Sequence, residues 1–270
     1  MKEFLKNFKI LLYFTSISPV LIAFTIVRSN IFTFILLIIL VIYVQFFMNV
    51  TMDIFDFRNN VPLKNEYTLF PLGPYSILVG KFKLNTLKVL SAISIVVALI
   101  DALFILFISN EIILIYIGIL AIFLSLIYIF PPFKLAQRGI GEISTFLDFG
   151  PLPLAGSIIA LHGELNYSAI AISIFLGGMA SAIRYLHHLP EDGEDSLRVR
   201  KFRIIYGLIV LTSTLIAAVS GFYLLLILIP AEIAHLMKLP VSSIEISKKT
   251  YQVVILEITG TLLIIANILF

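Results

Sequence analysis

The sequence predicts an all-α, polytopic membrane protein: a single domain over 1–270 in which nine transmembrane helices bundle around a central cavity. Three observations predict it. Of 270 residues 60% are hydrophobic and 13% charged, with a mean hydropathy of +1.08, whereas about a quarter of an ordinary globular domain is charged. The apolar residues collect in runs long enough to cross the hydrocarbon core of a bilayer as helices. The basic residues fall almost entirely on one side of the topology those runs define.

The first run, Ile10 to Val27, follows Lys2, Lys6 and Lys9. It is followed by Arg28-Ser-Asn and not by a small-residue cleavage site, so it reads as a retained span and not as a signal peptide. Further runs lie at 31–52, 86–107, 112–130, 142–161 and 166–186. Those at 203–219 and 221–238 are separated by Ser220-Gly221, the turn signal in a stretch otherwise long enough for one tilted helix, and the last is 250–269. Nine spans put 18 of the 19 Lys and Arg on one side and leave out Arg28. Fusing the seventh and eighth would carry Lys238, Lys248 and Lys249 across. Short basic loops stay cytoplasmic, so the N-terminus is expected in the cytoplasm and the C-terminus outside, in a multi-pass cell-membrane protein. The absence of cysteine excludes disulfides, thiolate metal sites and cysteine nucleophiles. The net charge of +3 is accounted for by these loops and gives no argument for nucleic acid.

The loops are lopsided. Inner segments after the second and sixth spans hold seven of the 16 acidic residues: Asp53, Asp56, Glu66, Glu191, Asp192, Glu194 and Asp195. Each acidic motif closes an even-numbered span at its cytoplasmic end, a layout that points to two pseudo-repeated halves facing each other. In MNVTMDIFDFRNN, residues 48–60, Asn49, Asp53 and Asp56 are four and three apart and share one helix face. The same spacing argument puts His187, Glu191 and Asp195 on one face in RYLHHLPEDGEDSLRVRK. Opposed carboxylates partly removed from water repel unless a cation lies between them. Mg²⁺ suits the place, since one or two carboxylates and substrate phosphates hold it. Arg58, Lys64, Lys134, Arg138, Arg198, Arg200 and Lys201 surround the clusters and complete an anion site for a diphosphate. Taken alone, either cluster reads equally as a solvated loop; two matching clusters at matching span ends weigh against that.

A third stretch, YIFPPFKLAQRGIGEISTFLDFGPLPLAG at 128–156, carries Pro131-Pro132, Lys134 and Arg138, and glycines at 139, 141, 150 and 156. The glycines allow close helix approach, and Lys134 and Arg138 are expected to face the acidic clusters. With these motifs the chain resembles the UbiA superfamily of intramembrane prenyltransferases, and most of all the branch similar to 1,4-dihydroxy-2-naphthoate prenyltransferase. Asn49, Asp53 and Asp56 match that branch's first signature. PFKLAQRGIGEISTFLDFGPL is similar to its Pro-Phe-Lys, Arg-Gly-Leu-Gly-Glu and Phe-Gly-Pro-Leu pattern. The second signature departs, with His187 where Asn is usual and Glu191 for the first Asp, while Pro190 and Asp195 fit. The resemblance implies two Mg²⁺ ions held by Asp53, Asp56, Glu191 and Asp195, with Lys134 beside them. They would bind a polyprenyl diphosphate and ionise it for attack by an aromatic, quinone-precursor ring. Non-quinone acceptors, namely a glycerol-phosphate lipid precursor, haem or a chlorophyll ring, are the alternatives.

Other polar residues are candidates for substrate contact. Asp101 and Asp148 lie inside apolar runs, where a carboxylate is costly and often functional; Asp148 reads as a contact to the acceptor, a partner of a buried cation or a hydrogen-bonded structural carboxyl. His187 and His188 qualify by position. Tyr128 is expected to turn its π-face to a carbocation. A cation-coupled transporter is the rival reading, yet transporters bring charge to the bilayer midplane, whereas here it collects at one face.

Overall fold

The structure, a computed structural model, describes residues 6, 9–66, 68–135 and 140–270. A 3₁₀ turn at Ile10–Leu12 leads into α1 (Tyr13–Val27), which ends at Arg28 in the left-handed region, φ 50°. The Asn30 side chain caps α2 (Ile31–Arg58) by accepting from the Phe32 N–H at 2.8 Å. This helix runs past the apolar stretch to Arg58, so the first acidic motif is helical throughout. The return loop contains α3 (Tyr75–Leu78), and α4 (Leu84–Ser109) and α5 (Ile113–Ile129) follow.

The expected fifth span is two helices, α6 (Gly141–Phe149) and α7 (Pro151–Ala160), meeting at Gly150. A Cβ there would lie 2.4 Å from the Ser173 carbonyl oxygen and 2.7 Å from the Gly177 nitrogen, so only glycine admits this approach to α8 (Tyr167–His188). Beyond α8 come α9 (Leu197–Arg200), α10 (Phe202–Val219), a 3₁₀ segment Tyr223–Ile227 running into α11 (Leu228–Lys238), then α12 (Ser243–Ser247) and α13 (Thr250–Leu269). The turn read at Ser220-Gly221 is present, with Gly221 at φ +113° ending any continuation of α10.

Among the described residues seven segments are long and apolar enough to cross a membrane; Ile113–Ile129 is apolar but shorter, at 17 residues. The expectation was nine. Within this all-helical bundle α8 is central: 89% of its most apolar window is buried, against 17–44% in the other six. Two glycines let neighbours close on it, Gly178 against Ser213 of α10 and Gly260 of α13 against Phe175. The outer helices turn large apolar side chains outward, as Leu103, Phe104 and Phe107 of α4 do. In water such a surface would drive association; for a multi-pass membrane protein it is the lipid face.

Candidate functional site

Asp53 and Asp56 are 2% and 7% exposed at the end of α2. One turn along the helix they meet different surroundings. Asp53 Oδ2 accepts from the Ser76 N–H at 3.0 Å, because the loop after α2 folds back to place α3 beneath it, and Oδ1 lies 4.0 Å from Lys9 Nζ. The Asp56 carboxylate has no hydrogen bond or ion pair among the described residues; the charges acting on it are Lys9, Asp53 and Glu191. Asn49 Oδ1 accepts from Gln45 Nε2 at 3.3 Å, and Gln45 in turn accepts from Ser16, which ties this face of α2 to α1.

The end of α8 meets the same place. His187 is buried, its Nδ1 without a hydrogen-bond partner among the described residues, and packs edge-on to Phe70. His188 Nδ1 lies 2.7 Å from Glu191 Oε2. Lys64 Nζ donates to the Pro190 carbonyl at 3.0 Å and joins the two acidic segments. Lys9 is the leading cation acting on Asp53 and Asp56, whereas Arg184 and Lys64 act on Glu191 ahead of Lys9. In this structure Lys9 stands 4.0 Å from Asp53, and Lys64 and Arg184 accompany Glu191, so basic side chains supply the positive charge that the carboxylates require.

The second motif is not the helix face its spacing implied. Pro190 lies in a 3₁₀ turn, Leu189–Glu191, after which Asp192 is extended; Asp195 sits in an exposed turn, off the face of His187 and Glu191. Asp192 turns inward instead, with Oδ2 3.5 Å from the Arg198 guanidinium. Burial pushes its carboxyl above the ordinary range, and Arg198 pulls against that.

Behind the acidic site stands a network around Glu142, in which Arg184 had no assigned role and Arg198, expected in the anion site, is instead paired with the carboxylates of Glu142 and Asp192. Arg184, its side chain 4% exposed, donates to Glu142 Oε1 at 2.6 Å and to the Tyr128 hydroxyl at 3.0 Å. Arg198 binds the same Glu142 oxygen at 2.5 Å and stacks on Tyr185 at 5.2 Å. A Cβ on Gly141 would lie 2.3 Å from the Arg184 guanidinium, so this glycine makes room for it. The signal was an arginine inside the apolar run of α8.

Other expected residues sit elsewhere. Tyr128, expected to face a carbocation, has Arg184 above its ring at 5.4 Å. At 100° per residue Arg58 falls about half a turn from Asp53 and Asp56, and it is exposed. Lys134 Nζ lies over the Phe55 ring at 5.2 Å, and Phe55 belongs to the Arg58 side of α2, so Lys134 is turned to that side and not to the acidic face. Arg200 and Lys201 are exposed. Asp148 Oδ2 accepts from Ser144 at 3.2 Å while its buried Oδ1 has no hydrogen bond. Arg138 lies outside the described residues.

Among the described residues no three His, Cys, Asp or Glu side chains converge to hold a metal ion by themselves. The donor set still fits a hard cation. Asp53 and Asp56 supply oxygen donors, one carboxylate is unengaged, and Mg²⁺ takes the remainder of its shell from water and substrate phosphates.

No family model matches the chain. It is 29% identical over 85 residues to 2-carboxy-1,4-naphthoquinone phytyltransferase of Synechocystis sp., a match covering 32% of this chain and only 28% of that relative. A solved structure of digeranylgeranylglyceryl phosphate synthase in membranes aligns over 99% of both chains at a TM-score of 0.64 and 18% identity. A UbiA homolog from Archaeoglobus fulgidus aligns over 98% of this chain and 99% of its own, at a TM-score of 0.58 and 12% identity. The chain has the UbiA-superfamily fold. The resemblance carried by the motifs is thus borne out at the level of the fold, and in that fold the Asp53 and Asp56 end of α2 and the Glu191 end of α8 meet, Lys64 bridging them through the Pro190 carbonyl.

Proposed function

We propose that the chain is a membrane prenyltransferase. It transfers a polyprenyl group from an allylic polyprenyl diphosphate to an aromatic, quinone-precursor acceptor and releases diphosphate, with Mg²⁺ as cofactor. The observation that carries this reading is the meeting of Asp53 and Asp56 at the end of α2 with Glu191 beyond α8, amid Lys9, Lys64 and Arg184, at the end of an apolar helical bundle. Asp53 and Asp56 would supply carboxylate oxygens to the cation, which when bound would neutralise charge developing on the diphosphate leaving group. Lys64 and Lys9 would meet the phosphate oxygens, and Ser76 keeps Asp53 oriented through its N–H. The packed helices around α8 exclude water from the reacting carbon. We place the basic end in the cytoplasm, with the N-terminus inside and the C-terminus outside.

The aromatic acceptor is supported by the naphthoquinone named for the Synechocystis relative. A glycerol-phosphate acceptor is the second reading, supported by the likeness to a digeranylgeranylglyceryl phosphate synthase over nearly the whole chain. Membranes containing the full chain, geranylgeranyl diphosphate and Mg²⁺ are to be offered 1,4-dihydroxy-2-naphthoate or a geranylgeranylated glycerol phosphate in turn. Prenylated naphthoate lost with EDTA and with Asp53→Ala is the expected result. Product from the glycerol phosphate alone moves the assignment to the second reading, and product from neither sinks prenyl transfer to these classes.

A further inference from the structure

We propose that the side of α2 opposite the acidic motif holds the phosphate of an anionic bilayer phospholipid, in a site independent of the prenyl-transfer reading. Thr51, Phe55 and Arg58 recur at four and three along α2 and face away from Asp53 and Asp56. With α4 and Phe130 they bound a groove of about 280 Å³. Its walls are apolar: Phe55 and Phe130 meet edge to face at 5.8 Å. The hydroxyls of Thr51 and Ser91 satisfy each other at 2.9 Å and leave no uncharged polar group seeking a partner between α2 and α4.

Cations are what the groove has to offer. Arg58 and Lys88 line it and are exposed, and among the described residues neither makes an ion pair. Lys134 adds a third positive charge above the Phe55 ring. No acid lines the groove, so nothing there would hold a divalent metal, and its ligand must be an anion bound by the side chains alone. The groove opens where α2 ends and α4 begins, at the basic ends of both helices, with the exposed apolar side of α4 leading away from it. Basic pockets between transmembrane helices bind anionic headgroups. The volume accommodates a headgroup and the start of one acyl chain, not a whole polyprenyl tail, which is why a bilayer lipid is the occupant chosen.

The test uses the full chain purified in detergent with equal phosphatidylglycerol and phosphatidylcholine, read by native mass spectrometry. One phosphatidylglycerol retained in preference to phosphatidylcholine is expected. Arg58→Gln with Lys88→Gln should weaken retention roughly 30-fold, two factors of about five, while Arg58→Lys with Lys88→Arg keeps it. Ala92→Trp, which fills the groove from an exposed position without touching charge, should also release the lipid. Equal retention of the two lipids, or retention unchanged in both the Gln pair and Ala92→Trp, overturns the proposal. Geranylgeranyl diphosphate added in EDTA should leave the phosphatidylglycerol in place; its displacement would show that the prenyl substrate, and not a bilayer lipid, is the ligand.

Discussion

Asp53 and Asp56 differ in what the fold asks of them, and the difference separates function from stability. Asp53 satisfies the buried Ser76 N–H and pairs with Lys9, so Asp53→Ala leaves a donor stranded. It should cost about 1–3 kcal/mol of stability as well as activity. Asp56 is buried with nothing among the described residues to bond it, a position that opposes folding and makes sense for binding a cation. Asp56→Asn should therefore lower prenyl transfer by about 10²–10³-fold while leaving the unfolding midpoint unchanged or raised. A midpoint that falls with activity would mean Asp56 holds the fold. Glu142 is the reverse case, one carboxylate shared by two arginines, Arg184 almost fully buried. Glu142→Gln takes from Arg184 and Arg198 the carboxylate they share, and breaking a buried pair costs about 3–5 kcal/mol. Denaturant unfolding in detergent measures it, and a loss near zero would show that Tyr128 and Asp192 suffice for the arginines.

Helices carry the next lesson, because what the sequence made legible was helical and what it hid was not. Asn49, Asp53 and Asp56 were readable as a face because α2 continues unbroken to Arg58. The same rule misplaced Asp195, since Pro190 ends the regular helix and the 3₁₀ turn rotates the residues that follow. Arg184, Glu142 and Arg198 come from three separate elements, so no local spacing announces their pairing; the nearest clues were a charge within an apolar run and a glycine at 141. Glycine also sets how closely α6 approaches α8. A Cβ at Gly177 would lie 2.6 Å from the Phe146 carbonyl oxygen, whereas one at Gly118 meets nothing within 4 Å. Gly177→Ala should thus destabilise by about 1–3 kcal/mol through overpacking and reduce activity by moving Glu142. Gly118→Ala, inside α5, should stabilise by up to about 1 kcal/mol. Equal effects of the two in thermal unfolding would refute the packing argument.

At the scale of the molecule, seven segments among the described residues qualify as spans and the basic residues fix which end of the bundle they favour, while the direction of insertion rests on charge asymmetry alone. The central helix offers the most direct measurement. α8 has 22 residues and a length of about 33 Å, matched to the hydrocarbon core, so its two flanking loops must emerge on opposite sides. Leu165 and Asp195 are both exposed in those loops, and the chain has no cysteine of its own to react. Single variants Leu165→Cys and Asp195→Cys, probed in intact cells with a membrane-impermeant maleimide, therefore give clean signals. Leu165→Cys should label from outside, and Asp195→Cys only after the membrane is opened. Reversed labelling would turn the bundle over and put the acidic site outside the cell, away from a cytoplasmic supply of diphosphate substrate. Labelling of both positions from one side would mean that α8, for all its burial, does not cross.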